Sequence, residues 1–524
     1  MKNCSNFKFS DNKYVDDSNG DSYISARSYV GGYFGQLSEG TLSLSGSNYL
    51  MVTINGSSIV GGIAGYIENV DLNVGIPLYS SQSAADASGI EITGTEYLGG
   101  LVGKMLSSSL SGPQNLNPTS SIPSFDNNNT VFIGNITGNG TCIGGAVGRA
   151  DKSSVKGISV RATITNNSGN YTGGIVGYFN EGNKAISSCS FSGPISGKNY
   201  TGGIVGEINT LAQVTQCINY GSITGENPTG GIVGKANNKT DEPWINECVN
   251  VGKVKGSQHV GGIVGLISAD GDEAHDWTKV ARCGNFGAIT ASSSGNGCVG
   301  GIVGKCDSDK IRVNDCANND SVTGYGSFKG IGGIAGSLGK DGILNELDNV
   351  DVYNCANTGK IISDKNGESH MGGIVGYLEE GDEGSNDTNS QVHLCYNCGE
   401  VGPAKSATHG GIIGHADYYV SLRYCINYGK TGTDGEAMIG TVVTGGIVHD
   451  TALYHLKGTG DNSGRNWSST EFTESQMNSL STFKGFSSSD WKVGKQINMS
   501  GSGENNKDRV ILVSCPFQNM TAPK

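Results

Sequence analysis

The sequence has little proline and few charged side chains. Its 524 residues include only 10 prolines, and charged residues make up 16% of the chain, well below the usual quarter. Collagen is excluded because glycine does not fall on every third position and proline is scarce. Disorder is also excluded, since 35% of the residues are hydrophobic and recur in patterns.

Other absences exclude whole classes of function. The formal net charge is −13, and no cluster of Lys and Arg is present to bind phosphates, so we expect no nucleic-acid partner. No stretch approaches 18 consecutive apolar residues, which predicts no membrane span in this chain. No export signal is visible at its start. No His-Glu-x-x-His pattern occurs among the eight histidines, so a zinc peptidase site is not expected.

Glycine, in contrast, is abundant, with 85 residues. A five-residue glycine phrase of the type GGIVG recurs in 13 copies, and its shortest spacings are 28 to 30 residues. A dinucleotide-binding loop would need one copy followed by a long helix, so the repetition favours a structural role. The copies begin at Gly31, Gly61, Gly99, Gly144, Gly173, Gly202, Gly230, Gly261, Gly300, Gly332, Gly372, Gly410 and Gly445.

A second phrase, Cys-x-Asn-x-Gly-x-Val/Ile, lies between the later copies, as in CINYGSI from Cys217 to Ile223. We expect its cysteines to form an inward column and its asparagines a ladder of amides along a left-handed turn. The cysteines are Cys189, Cys217, Cys248, Cys283, Cys316, Cys355, Cys395 and Cys425. The asparagines are Asn219, Asn250, Asn285, Asn318, Asn357, Asn397 and Asn427.

These patterns predict an all-β fold, because apolar residues alternate over short runs bounded by Gly, Asn and Ser. We predict a right-handed parallel β-helix, a β-solenoid of about 13 rungs with terminal caps. Residues 1–30 form the N-terminal cap and residues 457–524 the C-terminal cap. The solenoid between them, 31–456, is irregular over 31–170 and regular over 171–456. Residues 107–130, with three prolines, are expected to form a protruding loop.

The 14 cysteines allow two readings, a disulfide framework or buried free thiols. Stacked cysteines would have parallel Cα–Cβ bonds, which disfavours bridging between rungs, so we expect buried thiols. The pair Cys395 and Cys398 has the C-x-x-C spacing of a zinc site, but no second pair accompanies it.

Acidic insertions precede four of the register cysteines, and on a solenoid such insertions protrude from one edge. Three interpretations of these insertions are open: solvated loops, a surface that binds a protein or glycan, or, less favoured, a calcium site. No other cofactor is expected. The candidate binding residues on this edge are Asp241, Glu242, Trp244, Asp270, Asp272, Glu273, Asp276, Trp277, Glu379, Glu380, Asp382, Glu383 and Asp387. His415 and Asp417 are a further polar pair, and no catalytic residue can be assigned.

The phrase GGLVG, from Gly99 to Gly103, contains the Gly-Leu-x-Gly of the GLUG-motif repeat. The tail from Phe472 to Gly494 looks like the segment that closes such arrays, so residues 25–495 resemble this family. GLUG repeats occur in bacterial surface proteins, including adhesins and the non-catalytic region of immunoglobulin A-cleaving metallopeptidases. The resemblance implies a secreted or cell-surface bacterial protein and no activity.

These expectations combine into a functional hypothesis. The protein is a non-enzymatic β-helical rod of the bacterial surface or extracellular space, acting in adhesion or as a stalk that presents binding loops to a host or microbial protein or glycan. The alternative is a polysaccharide-acting β-helix enzyme or a glycan-binding protein like a phage tail spike.

Overall fold

The computed structural model is almost entirely β. It describes residues 4–8, 13–16, 22–44, 48–49, 53–75, 78–79, 90–180, 184–209, 212–238, 244–269, 278–308, 310–339, 349–364, 369–379, 390–402, 408–417, 419–432, 435–443, 447–460, 467–495, 507–518 and 520–521. Within these residues the strands form a 25-stranded and a 34-stranded sheet, and nearly all neighbours are parallel. The predicted parallel β-helix is confirmed, whereas its handedness and rung count stay predictions.

One regular turn shows how the repeat folds. Its five strands are Tyr171–Gly173, Val176–Asn180, Lys184–Ser187, Ser190–Ser192 and Ile195–Ser196. We call these positions columns 1 to 5, because each strand pairs in register with its equivalents in the adjacent turns. Columns 2 and 3 form the 25-stranded sheet, and columns 1, 4 and 5 belong to the 34-stranded sheet.

The strands of each column are as follows. Column 1 contains Val30–Gly31, Ile59–Gly61, Tyr97–Gly99, Cys142–Gly144, Tyr171–Gly173, Thr201–Gly202, Thr229–Gly230, His259–Gly261, His370–Gly372 and Thr408–Gly410. Column 2 contains Val102–Leu106, Val147–Asp151, Val176–Asn180, Val205–Asn209, Val233–Asn238, Val264–Ala269, Val303–Asp307, Ala335–Leu338, Val375–Leu378, Ile413–Ala416 and Ile439–Val442. Column 3 contains Ser109–Ser111, Ser154–Lys156, Lys184–Ser187, Ala212–Thr215, Trp244–Asn246, Thr278–Ala281, Lys310–Asn314, Asn349–Tyr353, Gln391–His393, Tyr419–Arg423 and Ile447–Thr451.

The remaining columns complete the second sheet. Column 4 contains Asn48–Tyr49, Leu78–Tyr79, Ser190–Ser192, Ile218–Asn219, Val249–Asn250, Gly284–Asn285, Ala317–Asn318, Ala356–Asn357, Tyr396–Asn397, Ile426–Asn427, Tyr454–Leu456 and Thr470–Phe472. Column 5 contains Ser22–Ala26, Thr53–Gly56, Ile90–Gly94, Ile195–Ser196, Ile223–Thr224, Val254–Gly256 and Ile361–Ser363. Long strands span two columns: Phe34–Leu44 and Ala64–Val74 (columns 2 and 3), Thr130–Gly138 and Ser159–Asn166 (4 and 5), Ile289–Gly300 and Val322–Gly332 (5 and 1).

Antiparallel pairing occurs only near the chain ends of the described structure. Cys4–Lys8 pairs with the edge strand Phe34–Leu44. Lys13–Asp16 pairs with Ser22–Ala26, and Trp491–Lys495 pairs with Asp508–Leu512. A short α-helix, Glu474–Met477, and a 3-10 turn, Leu480–Thr482, precede the last hairpin. An antiparallel strand on the edge of a parallel sheet occupies backbone groups that would otherwise template another chain.

The last copy of the glycine phrase was assigned wrongly. The turn after Gly410 is built from residues 436–440 (EAMIG): the Gly411 amide bonds to the Glu436 carbonyl and the Ile412 amide to the Met438 carbonyl. Ile447–Thr451, which follows Gly445, belongs to column 3 instead. The EAMIG copy escaped the sequence pattern because alanine replaces the second glycine and methionine the isoleucine, and both still fit the core.

The core follows the predicted arrangement. Ile175, at the third position of its phrase, is fully buried, and the same position holds the buried Ile204 in the next turn and the buried Ala146 in the preceding one. The eight register cysteines are also fully buried, and the structure has them as free thiols. Each thiol approaches backbone carbonyls, as Cys217 Sγ does at 3.2 Å from Thr215 O. Burial raises the pKa of Cys217 and Cys425, so these thiols are poor nucleophiles.

The predicted asparagine ladder is present and fully buried. Asn285 Nδ2 donates to Asn318 Oδ1 of the next turn at 2.8 Å and to Gly287 O at 2.9 Å. The same pair of bonds recurs from Asn219 to Asn397. Every amide is therefore held by its own turn and by a neighbour, which satisfies polar groups in an otherwise apolar interior.

The expected left-handed backbone at the asparagines was wrong. Positive φ angles occur instead at the residue before each register cysteine, with values from 51° at Arg282 to 58° at Asn354. This residue makes the corner between columns 3 and 4. None of the three glycines of the phrase starting at Gly173 has a left-handed conformation either.

Close approach, not a special φ angle, explains the second glycine of the phrase. A Cβ on Gly262 would lie 2.6 Å from Asn285 Cγ and closer than 3.0 Å to the Gly301 carbonyl oxygen. The equivalent Gly203 faces Asn219 in the same way. The glycine phrase and the asparagine phrase are therefore two halves of one packing unit.

Two segments lie along the outside of column 4, which we call the first strap (residues 112–129) and the second strap (described residues 473–495, 507–518 and 520–521). The first strap covers Tyr220, whose hydroxyl donates to Pro123 O at 2.6 Å and whose ring contacts Phe125. The prediction of a protruding loop here was wrong. Outward apolar side chains at Ile218 and Val249 form a second buried cluster with Leu116 of this strap.

The second strap folds back over the later turns. Tyr428 Oη donates to Val510 O at 2.9 Å, and Asn319 Nδ2 donates to Phe517 O at 3.0 Å. Its Arg509 guanidinium is fully buried over the Tyr428 ring. The strap thus runs from the last turns toward the turn of Phe286, which Phe517 contacts edge-on.

Candidate functional site

The corner between columns 1 and 2 brings outward side chains of the two columns into contact. Ile175 and Val176 enter the core, while Gly173 and Gly177 face the outside of the bend. A Cβ on Gly173 would come closer than 3.0 Å to the Gly206 amide of the next turn, and one on Gly177 closer than 3.0 Å to the Ile143 amide. The backbones of the two columns therefore meet and form the floor of a groove that follows the stack, the corner groove.

Side chains at two fixed positions line this groove. The first wall is the residue two positions before each glycine phrase, and the second is the residue five positions after its first glycine. First-wall residues include Tyr97, Cys142, Tyr171, Tyr200, His259, Cys298, His370 and Thr408. Second-wall residues include Tyr66, Lys104, Arg149, Tyr178, Glu207, Lys235, Leu266, Lys305, Ser337, Tyr377 and His415.

The earlier half of the groove is a row of tyrosines and cations. The Tyr171 ring lies 4.8 Å from Tyr178 across the groove and stacks on Tyr200 of the next turn at 5.3 Å. The Arg149 guanidinium lies over Tyr178 at 5.0 Å. Lys235 Nζ lies 5.4 Å from the centre of the Tyr200 ring. These contacts join three tyrosine rings with a basic group at each end of the series, all of them half-buried.

Carboxylates in this half are held by neighbours. Asp151, only 7% exposed, accepts from Arg149 Nε at 2.9 Å and lies 3.8 Å from Lys104 Nζ. Glu207, 5% exposed, accepts a hydrogen bond from the Asn237 amide. Both carboxylates are therefore engaged by side chains of the protein itself.

The later half holds a denser polar cluster. His415 Nε2 lies 3.3 Å from Asp417 Oδ1, and Tyr377 Oη donates to the same oxygen at 2.9 Å. His370 contacts both the Tyr377 ring, at 5.1 Å, and the His415 ring, at 4.4 Å. Lys329 Nζ lies over Tyr377 at 4.8 Å. The pair His415 and Asp417, noted in the sequence, is therefore part of the groove.

Burial shifts two pKa values in this cluster. Burial lowers the pKa of His370 to about 4, helped by the neighbouring His415, so the imidazole is neutral at physiological pH. Burial also raises the pKa of Glu379, against the opposing effects of Ser337 and Lys329. The Glu379 side chain is only 2% exposed. Its Oε1 lies 2.5 Å from Ser337 Oγ and 3.0 Å from Lys329 Nζ. Its Oε2 has no hydrogen-bond partner in the described structure.

Most of the candidate acidic-edge residues fall outside the described residues. These are Asp241, Glu242, Asp270, Asp272, Glu273, Asp276, Trp277, Glu380, Asp382, Glu383 and Asp387. Trp244 opens a column 3 strand, and Glu379 follows a column 2 strand. Strands before and after these segments pair in register with one another, as Val233–Asn238 does with Val264–Ala269 and Trp244–Asn246 with Thr278–Ala281. In each of these turns the described chain therefore ends at a column 2 strand and resumes at a column 3 strand.

Sequence reasoning missed the corner groove, although its signal was available. The wall positions stand at fixed offsets from every glycine phrase, and reading only those offsets would have revealed Tyr97, Tyr171 and Tyr200 in one row and Lys104, Arg149 and Lys235 in the other. The repeat itself hid them, because wall residues vary from turn to turn while the glycines do not.

Two further findings concern the described residues alone. They contain no group of three or more His, Cys, Asp or Glu side chains placed to hold a metal ion. No helix among them is long and apolar enough to cross a membrane.

The fold and the groove define a class: an all-β protein of stacked parallel turns with an aromatic, charged groove along one corner. Comparisons of the chain with protein-family models, with curated proteins and with solved structures find no match.

Proposed function

We propose that the protein is a non-enzymatic extracellular or cell-surface rod that binds glycan chains along the corner groove, in adhesion or while presenting its edge loops to a partner. The observation that carries this proposal is the series of ring and cation contacts from Tyr97 to Lys235, in which Arg149 lies between the Tyr97 and Tyr178 rings and Lys235 lies over the Tyr200 ring. Aromatic surfaces combined with a few polar groups are typical of ligand-binding clefts.

The linear form of the groove supports a polymeric ligand. The wall positions repeat with the strand spacing of about 4.8 Å, so a chain lying along the groove would meet a side chain from each wall at every turn, although the residue type changes. Many weak contacts of this kind add up through effective concentration, which is how a rod of repeats achieves useful avidity.

The state of the carboxylates supports binding over hydrolysis in the earlier half. Hydrolysis of a glycosidic bond needs two carboxyl groups facing each other across the bond, one of them protonated. Asp151 is committed to Arg149 and Lys104, and Glu207 to Asn237.

A polysaccharide-acting enzyme is the second candidate, and one observation favours it. Glu379 combines a raised pKa with an unpartnered oxygen, and it lies in the same cluster as Tyr377 and Lys329. A carboxyl group whose pKa is raised by burial is suited to donate a proton.

A glycan array, followed by a depolymerisation assay on each polysaccharide that binds, tests both candidates. We expect saturable binding without chain shortening. Tyr171→Ala and Tyr200→Ala should each weaken binding about tenfold, the loss expected for one aromatic contact. Tyr325→Ala is the matched control, since Tyr325 is 48% exposed and lies outside the groove.

Two outcomes would reverse these assignments. Binding that Tyr325→Ala weakens as much as Tyr171→Ala would remove the groove as the binding surface. Shortening of a polysaccharide by the wild type, abolished in Glu379→Gln, would favour the polysaccharide-acting enzyme over the non-enzymatic rod.

A further inference from the structure

A second cavity lies away from the corner groove, where the second strap crosses column 3. It has a volume of about 360 Å³, at the lower end of the range for small-molecule sites. Arg423 at one side is exposed, whereas Trp491 at the other is fully buried. The pocket is therefore open to solvent beside Arg423, and Trp491 lies behind its wall.

The solenoid contributes one side of the pocket from two adjacent strands. Val392 and Leu422 point into the core, so their neighbours Gln391, His393 and Arg423 project outward. His393 and Arg423 are direct partners in the parallel register. The His393 ring stacks on Tyr353 at 5.3 Å, which fixes its orientation beside the guanidinium. Among the described residues, Arg423 has no ion-pair partner.

The strap contributes the opposite side. Asp490 lies at the pocket, and its carboxylate has no ion-pair or side-chain hydrogen-bond partner among the described residues. Trp491 packs against Phe486 with ring centres 4.6 Å apart, yet its Nε1–H is buried without an acceptor.

The groups around the cavity specify a ligand with an anionic end and a polar body. The Arg423 guanidinium favours a carboxylate. His393 beside it already faces a carboxylate of the protein, with its Nδ1 3.9 Å from Asp351 Oδ1, so the anionic end of the ligand is assigned to Arg423 alone. A free carboxylate on the facing side, with the Gln391 amide, suits hydroxyl or amide groups. We propose that this pocket binds a carboxylated sugar, with Arg423 holding its carboxylate and Asp490 accepting hydrogen bonds from its hydroxyl groups.

This proposal adds a second site to the proposed glycan-binding function and does not depend on the corner groove. The probes are glucuronic acid and N-acetylneuraminic acid, with glucose as the neutral control and acetate as the carboxylate alone. The full chain is titrated, and the indole Nε1–H resonance of Trp491, identified with Trp491→Phe, is followed by NMR.

The expected result is saturable binding of an acidic sugar in the millimolar range, a shift of the Trp491 resonance, and little effect of glucose or acetate. Arg423→Gln and Asp490→Asn should each weaken binding about tenfold, because each removes a charge-assisted hydrogen bond. Lys430→Gln, at another exposed cation of the same region, should leave binding unchanged. Thermal melting of each variant confirms that the strap still covers the solenoid.

Three results would overturn the proposal. These are no saturable binding of either acidic sugar up to about 10 mM, equal binding of glucose, and binding that Arg423→Gln leaves intact in a folded protein. The Tyr171→Ala variant tests the two sites separately. We expect it to lose binding of polysaccharide to the corner groove and to keep binding of the acidic sugar to the pocket, so either proposal can fail without the other.

Discussion

The earlier and later turns of the solenoid share one backbone path. They differ in the side chain that packs against the second glycine of each glycine phrase. In the earlier turns the second glycine of the phrase faces an apolar side chain: Gly100 faces Phe132, Gly145 faces Val160 and Gly174 faces Phe191. In the later turns it faces a ladder asparagine, beginning with Gly203 and Asn219. The glycine is thus required wherever the phrase of a further turn packs against it, which leaves Ala437 permitted in the last turn, and the partner that fills the space can be apolar or polar.

The two fillings differ in how strongly neighbouring turns depend on each other. An apolar ring needs only volume and can adjust its packing when a neighbour changes. A ladder amide needs hydrogen-bonding partners on both adjacent turns, as Asn318 has in Asn285 and Asn357. The later turns should therefore tolerate less variation at this position, which agrees with the regular phrase found there.

The largest expected effect tests what the two regions share. Gly145→Ala and Gly262→Ala should each destabilise the protein by about 3 kcal/mol or more, because the new Cβ would collide with a backbone carbonyl in both regions. Chemical denaturation and hydrogen exchange of the adjacent turns measure the loss. Gly295→Ala, with open space around the position, is the control and should be nearly neutral. A tolerated Gly145→Ala with a damaging Gly262→Ala would show that the ladder, not the corner, requires the glycine.

A smaller effect tests what separates the regions. Asn318→Ala should cost about 3 kcal/mol, since it leaves the Asn285 amide and the Asn357 carbonyl oxygen short of a partner. Val160→Ala, in an apolar turn, should cost about 2 kcal/mol. The double variant Asn285→Ala/Asn318→Ala should cost less than the sum of its parts, because the shared bond is lost only once. Strict additivity in that double-mutant cycle would mean that the ladder is not cooperative.

The smallest effect compares the two halves of the groove. The pKa of His370 is lowered to about 4 in the folded protein, against 6.5 ordinarily. The unfolded chain therefore binds the proton more tightly, and stability should fall as the pH drops from about 6.5 to about 4. The contribution is about 2 kcal/mol, since His370 keeps some exposure.

His370→Gln should remove that part of the pH dependence in denaturation curves recorded at pH 7 and pH 4. The raised pKa of Glu379 acts with the opposite sign, because stability from that group is lost as the pH rises above its ordinary range. Comparison of wild type with His370→Gln cancels it. Tyr171→Phe, in the earlier half, is the matched variant and should leave the pH profile unchanged. Identical pH profiles for wild type and His370→Gln would show that His370 is not held neutral.

The fold was predictable because each of its causes is local and repeated. Alternation of Ile175 and Val176 with glycine identifies the core positions, and the recurrence of Cys217 and Asn219 sets the register between turns. The EAMIG turn was missed because the core requires apolar side chains of suitable size and shape rather than particular residues. Ala437 and Met438 meet that requirement and are fully buried, although they do not match the glycine phrase.

The groove and the straps were not predictable from the repeat. The groove depends on which side of a bend Gly173 faces, and periodicity gives only the presence of the bend. The straps depend on contacts between distant parts of the chain, such as Tyr220 with Pro123 and Asn319 with Phe517. The acidic edge was predicted from the lengths of insertions. Among its proposed residues, the described structure includes only Glu379 and Trp244, the latter as the first residue of a column 3 strand.

The second strap also gives the protein an order of assembly. Stacked turns interact mainly with adjacent turns and could form successively as the chain is synthesised. The contact of Cys515 with Cys316 spans 199 residues, so the later turns must wait for the last part of the chain before Tyr396 and Tyr428 are covered. Such high contact order slows the final step. During that interval the side of the rod exposes aromatic residues that a chaperone, or another copy of the chain, could recognise.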